Sequence, residues 1–393
     1  MKFDFDTRVD RTGAGSLKDF FTPQALKDAG LVTYWGAEFE FASCPAFSQG
    51  LMDCARRGLY GFTLQTQDYN ERVVWWMKNV RGFDMDAEWI VPAQGTIFAL
   101  ATALRLFCVP EKKRLVMINP GYSRYKQAAD RLGLETVYAE MIYENGAYRI
   151  NFADLEAKMA DPANALLAFS NPNNPTGLIL KQDELERIGA LSEKYGMPVF
   201  SDEIFAEVTR GEKVFPYMLV SKGRKLAISC TSLGKSMSLT GVNHANLLIP
   251  DDVLRERYIL QRNADHYGSI DPMLYAGLMR AYSEEGKAFI EALNEVIDAN
   301  TALIENELPR LIPGAKVIHP EGTFVIWVDY SGCGMDEDAL ADFLNNECLF
   351  MGDAGDDYAE SRYFYRYNLA VPPADLKKSL GKIADVQREK QEA

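Results

Sequence analysis

The chain has 393 residues, 47% of them hydrophobic and 25% charged, with a formal net charge of −14 and an isoelectric point near 4.9. That length suits one large domain and one smaller one, and the acidic balance argues against nucleic acid or an anionic membrane as a partner, because both repel a negative surface. The opening Met-Lys-Phe-Asp-Phe-Asp carries no apolar signal core, and no apolar run approaches the roughly 18 residues that span a bilayer, so a cytoplasmic protein is expected.

In chain order, residues 93–96 (Ala-Gln-Gly-Thr) precede a helix whose apolar positions Ile97, Leu100, Ala101, Leu104 and Phe107 follow helical spacing. The free N–H groups at such a helix start can hold an anion, and Gly95 allows close approach; the plainer reading is an ordinary helix cap. A strand is expected over Arg114–Asn119 and a helix over 122–131. Next come a strand at 165–170, a helix at 182–195, strands at 197–201 and 225–231, and an apolar segment at 245–249. From 284 to 308, Phe289, Leu293, Val296, Ile297, Leu303 and Ile304 mark a long helix that Pro309 and Pro313-Gly314 should end. Beyond it the pattern predicts strands within 316–330, a helix at 336–346, a strand at 363–369 and a closing helix at 373–388. Strands alternating with helices predict an α/β fold, a largely parallel sheet covered on both faces, with ligands beyond the carboxyl ends of its strands.

Three segments sit at such ends: Asn171-Pro-Asn-Asn174-Pro-Thr-Gly177, Ser201-Asp202-Glu203 and Ser232-Leu-Gly-Lys235. An amide, a carboxylate and an amine thereby emerge at one sheet edge. Each has a bland reading alone, as a turn, a helix N-cap and a solvated lysine. All three in order, each after a strand, make coincidence a poor account. Near the C-terminus, Arg366 lies in a β-rich run, where it is either an edge residue or a guanidinium fork matched to a carboxylate. The cysteines at 44, 54, 108, 230, 333 and 348 have no CxxC spacing, and the histidines at 244, 266 and 319 are scattered, so neither disulfides nor a metal site is expected.

The order of these segments, with 28 residues from Asn174 to Asp202 and 33 more to Lys235, resembles the fold-type I pyridoxal phosphate (PLP) enzymes of the class I/II aminotransferase superfamily. The resemblance implies a mostly parallel seven-stranded sheet between helices in a large domain at 46–283. A smaller α+β domain would combine 1–45 with 284–393. It implies PLP as cofactor, Lys235 joined to its aldehyde as a Schiff base, Asp202 on the pyridine nitrogen and Asn174 on the ring oxygen. Gly95, Thr96 and Ser232 would hold the phosphate, Tyr122 would stack on the ring, and Arg366 would bind the α-carboxylate of a small amino-acid substrate. A homodimer that completes the site across its interface is also implied.

Within that superfamily, Arg11-Thr-Gly-Ala-Gly-Ser-Leu-Lys18, Trp35-Gly-Ala-Glu-Phe-Glu-Phe41, Gly58-Leu-Tyr-Gly-Phe-Thr63, Trp76-Met-Lys78, Glu88-Trp-Ile-Val91 and His319-Pro-Glu-Gly-Thr-Phe324 resemble the cystathionine β-lyase-like carbon-sulfur lyases. Asn243 stands where most aminotransferases carry a phosphate-binding arginine. The resemblance implies α,β-elimination to pyruvate, ammonia and a thiol; transamination on the same scaffold stays open, as does a non-catalytic regulatory role. Departures are Glu38 and Glu40 in place of the lyases' two aspartates, Phe62 in place of a tyrosine, which leaves open whether Tyr60 replaces its hydroxyl, and Phe205, which cannot make the hydrogen bond of the aminotransferase tyrosine at that place.

Overall fold

A computed structural model describes residues 3–265, 268 and 270–392; His266 lies outside them. The strands of the main sheet are β1 (Ile90–Ala93), β2 (Arg114–Asn119) and β3 (Glu135–Glu140), followed after a small hairpin of β4 (Ile142–Glu144) and β5 (Ala147–Arg149) by β6 (Asn164–Ser170), β7 (Val199–Asp202), β8 (Ala227–Thr231) and β9 (Ala245–Leu248). Their order across the sheet is β1-β9-β8-β7-β6-β2-β3. Only β9 runs against its neighbours, pairing antiparallel with both β1 and β8, so the sheet is mixed but mostly parallel.

Because both faces are covered, alternate residues of one strand serve different cores. Leu115 and Met117 of β2, with Leu166 and Ala168 of β6, pack on one side. Val116, Ile118, Leu167 and Phe169 pack on the other with Leu185, Ile188 and Leu191 of the helix Gln182–Tyr195. That helix begins where the Glu184 carboxylate accepts from the Lys181 N–H at 2.9 Å and ends at Gly196, φ 63°. A left-handed residue there is the usual helix stop. The helices Pro45–Arg57 and Pro272–Ala281 approach so closely that a Cβ on Gly50 would lie 2.2 Å from the Ala276 carbonyl.

The helix expected to end at 308 runs from Glu284 to Leu311 with Pro309 inside it. Proline removes one donor, yet the Ile312 N–H still reaches the Leu308 carbonyl at 2.9 Å, so the last turn closes around it. Beyond it lies a second, antiparallel sheet of β10 (Lys316–Ile318), β11 (Val325–Asp329), β12 (Asp353–Ala354) and β13 (Phe364–Asn368), in the order β10-β11-β13-β12. Ile326, Val328 and Tyr367 of this sheet bury against Leu376, Leu380 and Ile383 of the closing helix Pro373–Glu392, and Tyr34 of the N-terminal segment joins that core.

The strands expected at 197–201 and 225–231 are shorter at their starts. Lys225 lies in a one-turn helix, Arg224–Leu226, and β7 reaches one residue further, so Asp202 belongs to the strand. The helix expected at 336–346 is Glu337–Asp342 followed by a wider π-helical turn, Phe343–Glu347.

Candidate active site

The register of the central strands explains why the three segments converge. Ser170 of β6 pairs with Asp202 of β7, which pairs with Cys230 of β8, so the chain leaves all three strands at one level. After β6, Asn171 and Asn173 shape the loop: their side-chain oxygens accept from the Leu180 N–H and from the N–H and hydroxyl of Thr176. Asn174 is spared that work and faces Arg366, whose guanidinium donates to its side-chain oxygen at 2.9 Å. At the end of β7, neighbouring carboxylates separate. Asp202 lines a cavity, whereas Glu203 is fully buried against Arg81 at 2.9 Å, with Ser229 and the Tyr217 N–H also donating to it.

Two hollows meet at Lys235. One, of about 270 Å³, is lined by residues that include Trp35, Asn174, Asp202, Asp353 and Arg366. The other, of about 420 Å³, is lined by Gln94, Gly95, Thr96, Ser232 and Asn243 among others. Tyr122, Ile204, Lys235 and Thr240 face both. All eight predicted site residues therefore border one or both of these two adjoining hollows.

The Lys235 amine donates to the Ala37 carbonyl at 3.0 Å and to the Thr240 hydroxyl at 3.4 Å. Burial, and then the positive charge of Arg366, bring its pKa down to about 8, while Asp202 among others pulls the other way. Asp202 is 2% exposed and makes no ion pair among the described residues. Its oxygens accept from the Tyr125 hydroxyl and the Ile204 N–H. Burial raises its pKa to about 6 against the opposing effect of those hydrogen bonds.

Gly95 has φ 97° and ψ 161° just before the helix Thr96–Phe107, a backbone region that glycine enters without strain. The loop thus presents the helix start to the second hollow. Ser232 lines that hollow too, but its hydroxyl caps its own turn, accepting from the Gly234 N–H at 2.9 Å and donating to the His244 carbonyl at 2.7 Å. Tyr122 directly precedes the helix Ser123–Arg131 and stands edge-on to Tyr125, ring centres 5.6 Å apart. Phe205 packs on Phe324 at 5.2 Å and lies beneath the Lys235 amine, 5.9 Å from its ring centre.

The family model for aminotransferase class I and II matches residues 43–383. The chain belongs to that family. Among its relatives, the cystathionine β-lyase PatB of Bacillus subtilis is 26% identical over 96% of this chain and 98% of its own length. Cystalysin of Treponema denticola, solved with a pyridoxal 5′-phosphate cofactor, superposes with a TM-score of 0.93 at 26% identity, covering 99% of this chain and 100% of that one. A PLP-bound carbon-sulfur lyase of Staphylococcus hominis, complexed with L-cycloserine, gives 0.88 at 25% identity over 98% of both chains. The fold is that of the fold-type I PLP enzymes.

For this family member, several residues at the site had no signal of their own in the sequence. Tyr125 lies one helical turn beyond Tyr122, a spacing that points both toward one space once 123–131 is read as helix. Asp353 follows Gly352 in a stretch with no periodicity, and only β12 pairing with β13, Asp353 opposite Arg366, reveals it. Glu38 and Glu40 are tied to Arg11 and Lys18, so the acidic pair braces the N-terminal segment internally, while the Glu40 N–H donates to the Ala370 carbonyl at 2.9 Å. No group of metal-ligating side chains occurs among the described residues. No helix there is long and apolar enough to cross a membrane.

Proposed function

We propose that this protein is a PLP-dependent carbon-sulfur β-lyase acting on cystathionine or a related cysteine conjugate. The full-length similarity to a cystathionine β-lyase carries the reading, and the site supports it. Asp202 is a buried carboxylate without a cationic partner in ion-pair contact, and a protonated pyridine nitrogen supplies that cation. The hollow beside Gly95, Thr96 and Asn243 at a helix start suits a phosphate. Lys235 between the two hollows is the amine to hold the aldehyde.

When bound, PLP supplies an electron sink for charge left at the substrate's α-carbon. Asp202, oriented by Tyr125, would hold a proton on the ring nitrogen. Asn174, its oxygen engaged by Arg366, would have its N–H groups left to donate to the ring oxygen. Arg366 would take the α-carboxylate, and Tyr122 would lie against the ring. The Lys235 amine, with its pKa brought down to about 8, removes the α-proton near neutral pH. A thiolate on the β-carbon would then leave and be protonated to the thiol, and addition of one water to the remaining three-carbon enamine gives pyruvate and ammonia. Phe205 and Phe324 wall the site without offering a hydroxyl to the ring oxygen.

Two copies of the chain make up the working unit in this reading. Leu59, Tyr60, Phe62 and Leu64 are exposed, Phe62 wholly so, and they border or adjoin an open hollow of about 940 Å³ lined in part by the helices Pro45–Arg57 and Pro272–Ala281. Burying that apolar loop against a second subunit removes it from water. The large domain is assigned to 46–283 and the small one to 1–45 with 284–393.

The test is incubation of purified protein with L-cystathionine in the absence of any keto acid. Pyruvate and free thiol support the lyase. Turnover that requires 2-oxoglutarate assigns the chain to transamination instead.

A further inference from the structure

The guanidinium of Arg366 is already satisfied by a carboxylate of the same chain. Its Nε and one terminal nitrogen donate to Asp353 Oδ2 at 3.0 and 2.5 Å, and the other terminal nitrogen donates to Asn174. Both Asp353 oxygens also accept from the Gly36 N–H, at 3.1 and 3.3 Å. One arginine edge and one main-chain N–H form the donor set that a free carboxylate entering this cavity would seek. Asp353 fills it, and both residues line the hollow that contains Lys235.

The geometry explains how the chain places its own acid there. Asp353 and Arg366 are cross-strand partners in β12 and β13, and Arg366 is held from another side by the Tyr358 ring, 5.0 Å from the guanidinium carbon. The arginine side chain is 4% exposed and that of Asp353 16%. In so enclosed a place, a second carboxylate brought beside Asp353 meets a pair that is already neutral, and like-charge repulsion opposes it.

We propose that Asp353 is an internal competitor for the carboxylate seat of Arg366: a ligand carboxylate occupies the guanidinium edge only as the Asp353 side chain leaves it. Asp353 is in this way a specificity-determining residue, setting how strongly the site holds small carboxylate ligands. The inference rests on the reading of Arg366 as the carboxylate anchor of the proposed reaction. Asp353 sits on β12, a strand only two residues long, so its release would break the contacts to Arg366 and the Gly36 N–H and no long ladder.

The experiment titrates the holoprotein with propionate, and in parallel with uncharged propionamide, by calorimetry. Asp353→Asn keeps the size and one acceptor oxygen while removing the charge; Asp353→Ala removes the competitor altogether. Thermal unfolding establishes that both variants are folded. Propionate is expected to bind roughly tenfold more tightly to both variants than to the parent protein, the scale of one charge-assisted hydrogen bond, with propionamide unchanged. Unaltered or weaker propionate binding, which a fixed clamp that merely orients Arg366 would give, overturns the proposal, as does an equal gain for propionamide. Borohydride trapping of PLP on Lys235 of the parent protein reports separately on the cofactor reading, so the two failures are distinguishable.

Discussion

Arg366 donates to the side-chain oxygen of Asn174 at 2.9 Å, joining β13 to the loop after β6 across 192 residues of sequence. The contact decides which way the amide faces, since its oxygen is taken and its two N–H donors are left for the cavity. Arg366→Lys keeps the charge and loses the fork. The expected result is a KM for amino-acid substrate raised roughly tenfold to a hundredfold, the scale of one or two hydrogen bonds to a charged group, with the cofactor absorbance retained; steady-state kinetics and a visible spectrum check it.

Uptake of PLP by the apoprotein should follow the protonation of Lys235, because only the neutral amine attacks an aldehyde. With its pKa brought down to about 8, the rate is expected to rise about tenfold per pH unit below that value and to level off above it. Lys235→Ala should lose borohydride-trapped label entirely and lower kcat by at least about 10²–10⁴-fold. Stopped-flow absorbance across pH 6–10 and peptide mapping are the measurements.

In the proposed function, Tyr125 would act on the cofactor through Asp202. Its hydroxyl holds the Asp202 carboxylate in the charged form against burial, so Tyr125→Phe pushes that pKa further above 6 and weakens the hold on a protonated pyridine. The PLP dissociation constant is expected to rise about tenfold, the scale of one charge-assisted hydrogen bond. Fluorescence titration of the apoprotein reads it.

His244 is buried, its Nε2 lies 3.2 Å from the Tyr282 hydroxyl, and burial depresses its pKa to about 3. Below the ordinary value of 6.5 the unfolded chain binds a proton that the folded chain does not, so stability rises with pH between about 3 and 6.5 and is lost as pH falls. From pH 7 to pH 5 this one group removes about 2 kcal/mol of stability. Asp202, with its pKa raised to about 6, works in the opposite direction: the folded apoprotein takes up its proton more readily, and stability is lost as pH rises toward 6. Comparing the parent with His244→Gln by urea unfolding at both pH values isolates the histidine; the cost of the substitution should be about 2 kcal/mol smaller at pH 5.

Glu203, although it adjoins Asp202, is a structural acid. Its side chain and that of Arg81 are 0% and 1% exposed and 2.9 Å apart. Glu203→Ala strands the guanidinium and is expected to cost about 3–5 kcal/mol, whereas the double change Arg81→Met with Glu203→Leu should restore most of it. Chemical denaturation of the three variants checks both statements.

Between residues 114 and 249 the alternation of strand and helix was legible outside 132–164, because strands covered on both faces read as uninterrupted apolar runs such as Ala165–Phe169. The antiparallel direction of β9 was not legible, since apolar pattern is the same in either direction. The strands Ile90–Ala93 and Glu135–Glu140 and the helices Pro45–Arg57, Gln67–Trp76 and Phe152–Ala160 also went unread: the first strand contains a proline and the second carries charges at both ends, whereas the helical spacing of Tyr69, Val73 and Trp76 was there to be read. Pro309 misled in the other direction, because it cost the helix only its own donor and the Ile312 N–H still closed the last turn on the Leu308 carbonyl.

Asn174, Asp202 and Lys235 could be picked out from sequence since amide, carboxylate and amine each follow a buried strand, and chain order carries the spacing. What their side chains meet could not, because it depends on segments remote in sequence. The loop at Gly36 and Ala37 supplies acceptors and donors to Lys235 and Asp353 across about 200 and 300 residues, and Tyr125 reaches Asp202 across 77. The one-dimensional pattern determined the layered architecture and the chemical groups at the sheet edge, since hydrophobic period and strand ends are local properties. Only the packed chain decided the protonation of those groups, the partner of the arginine and the division of labour between Asp202 and Glu203, since desolvation and hydrogen bonding depend on what the fold brings alongside.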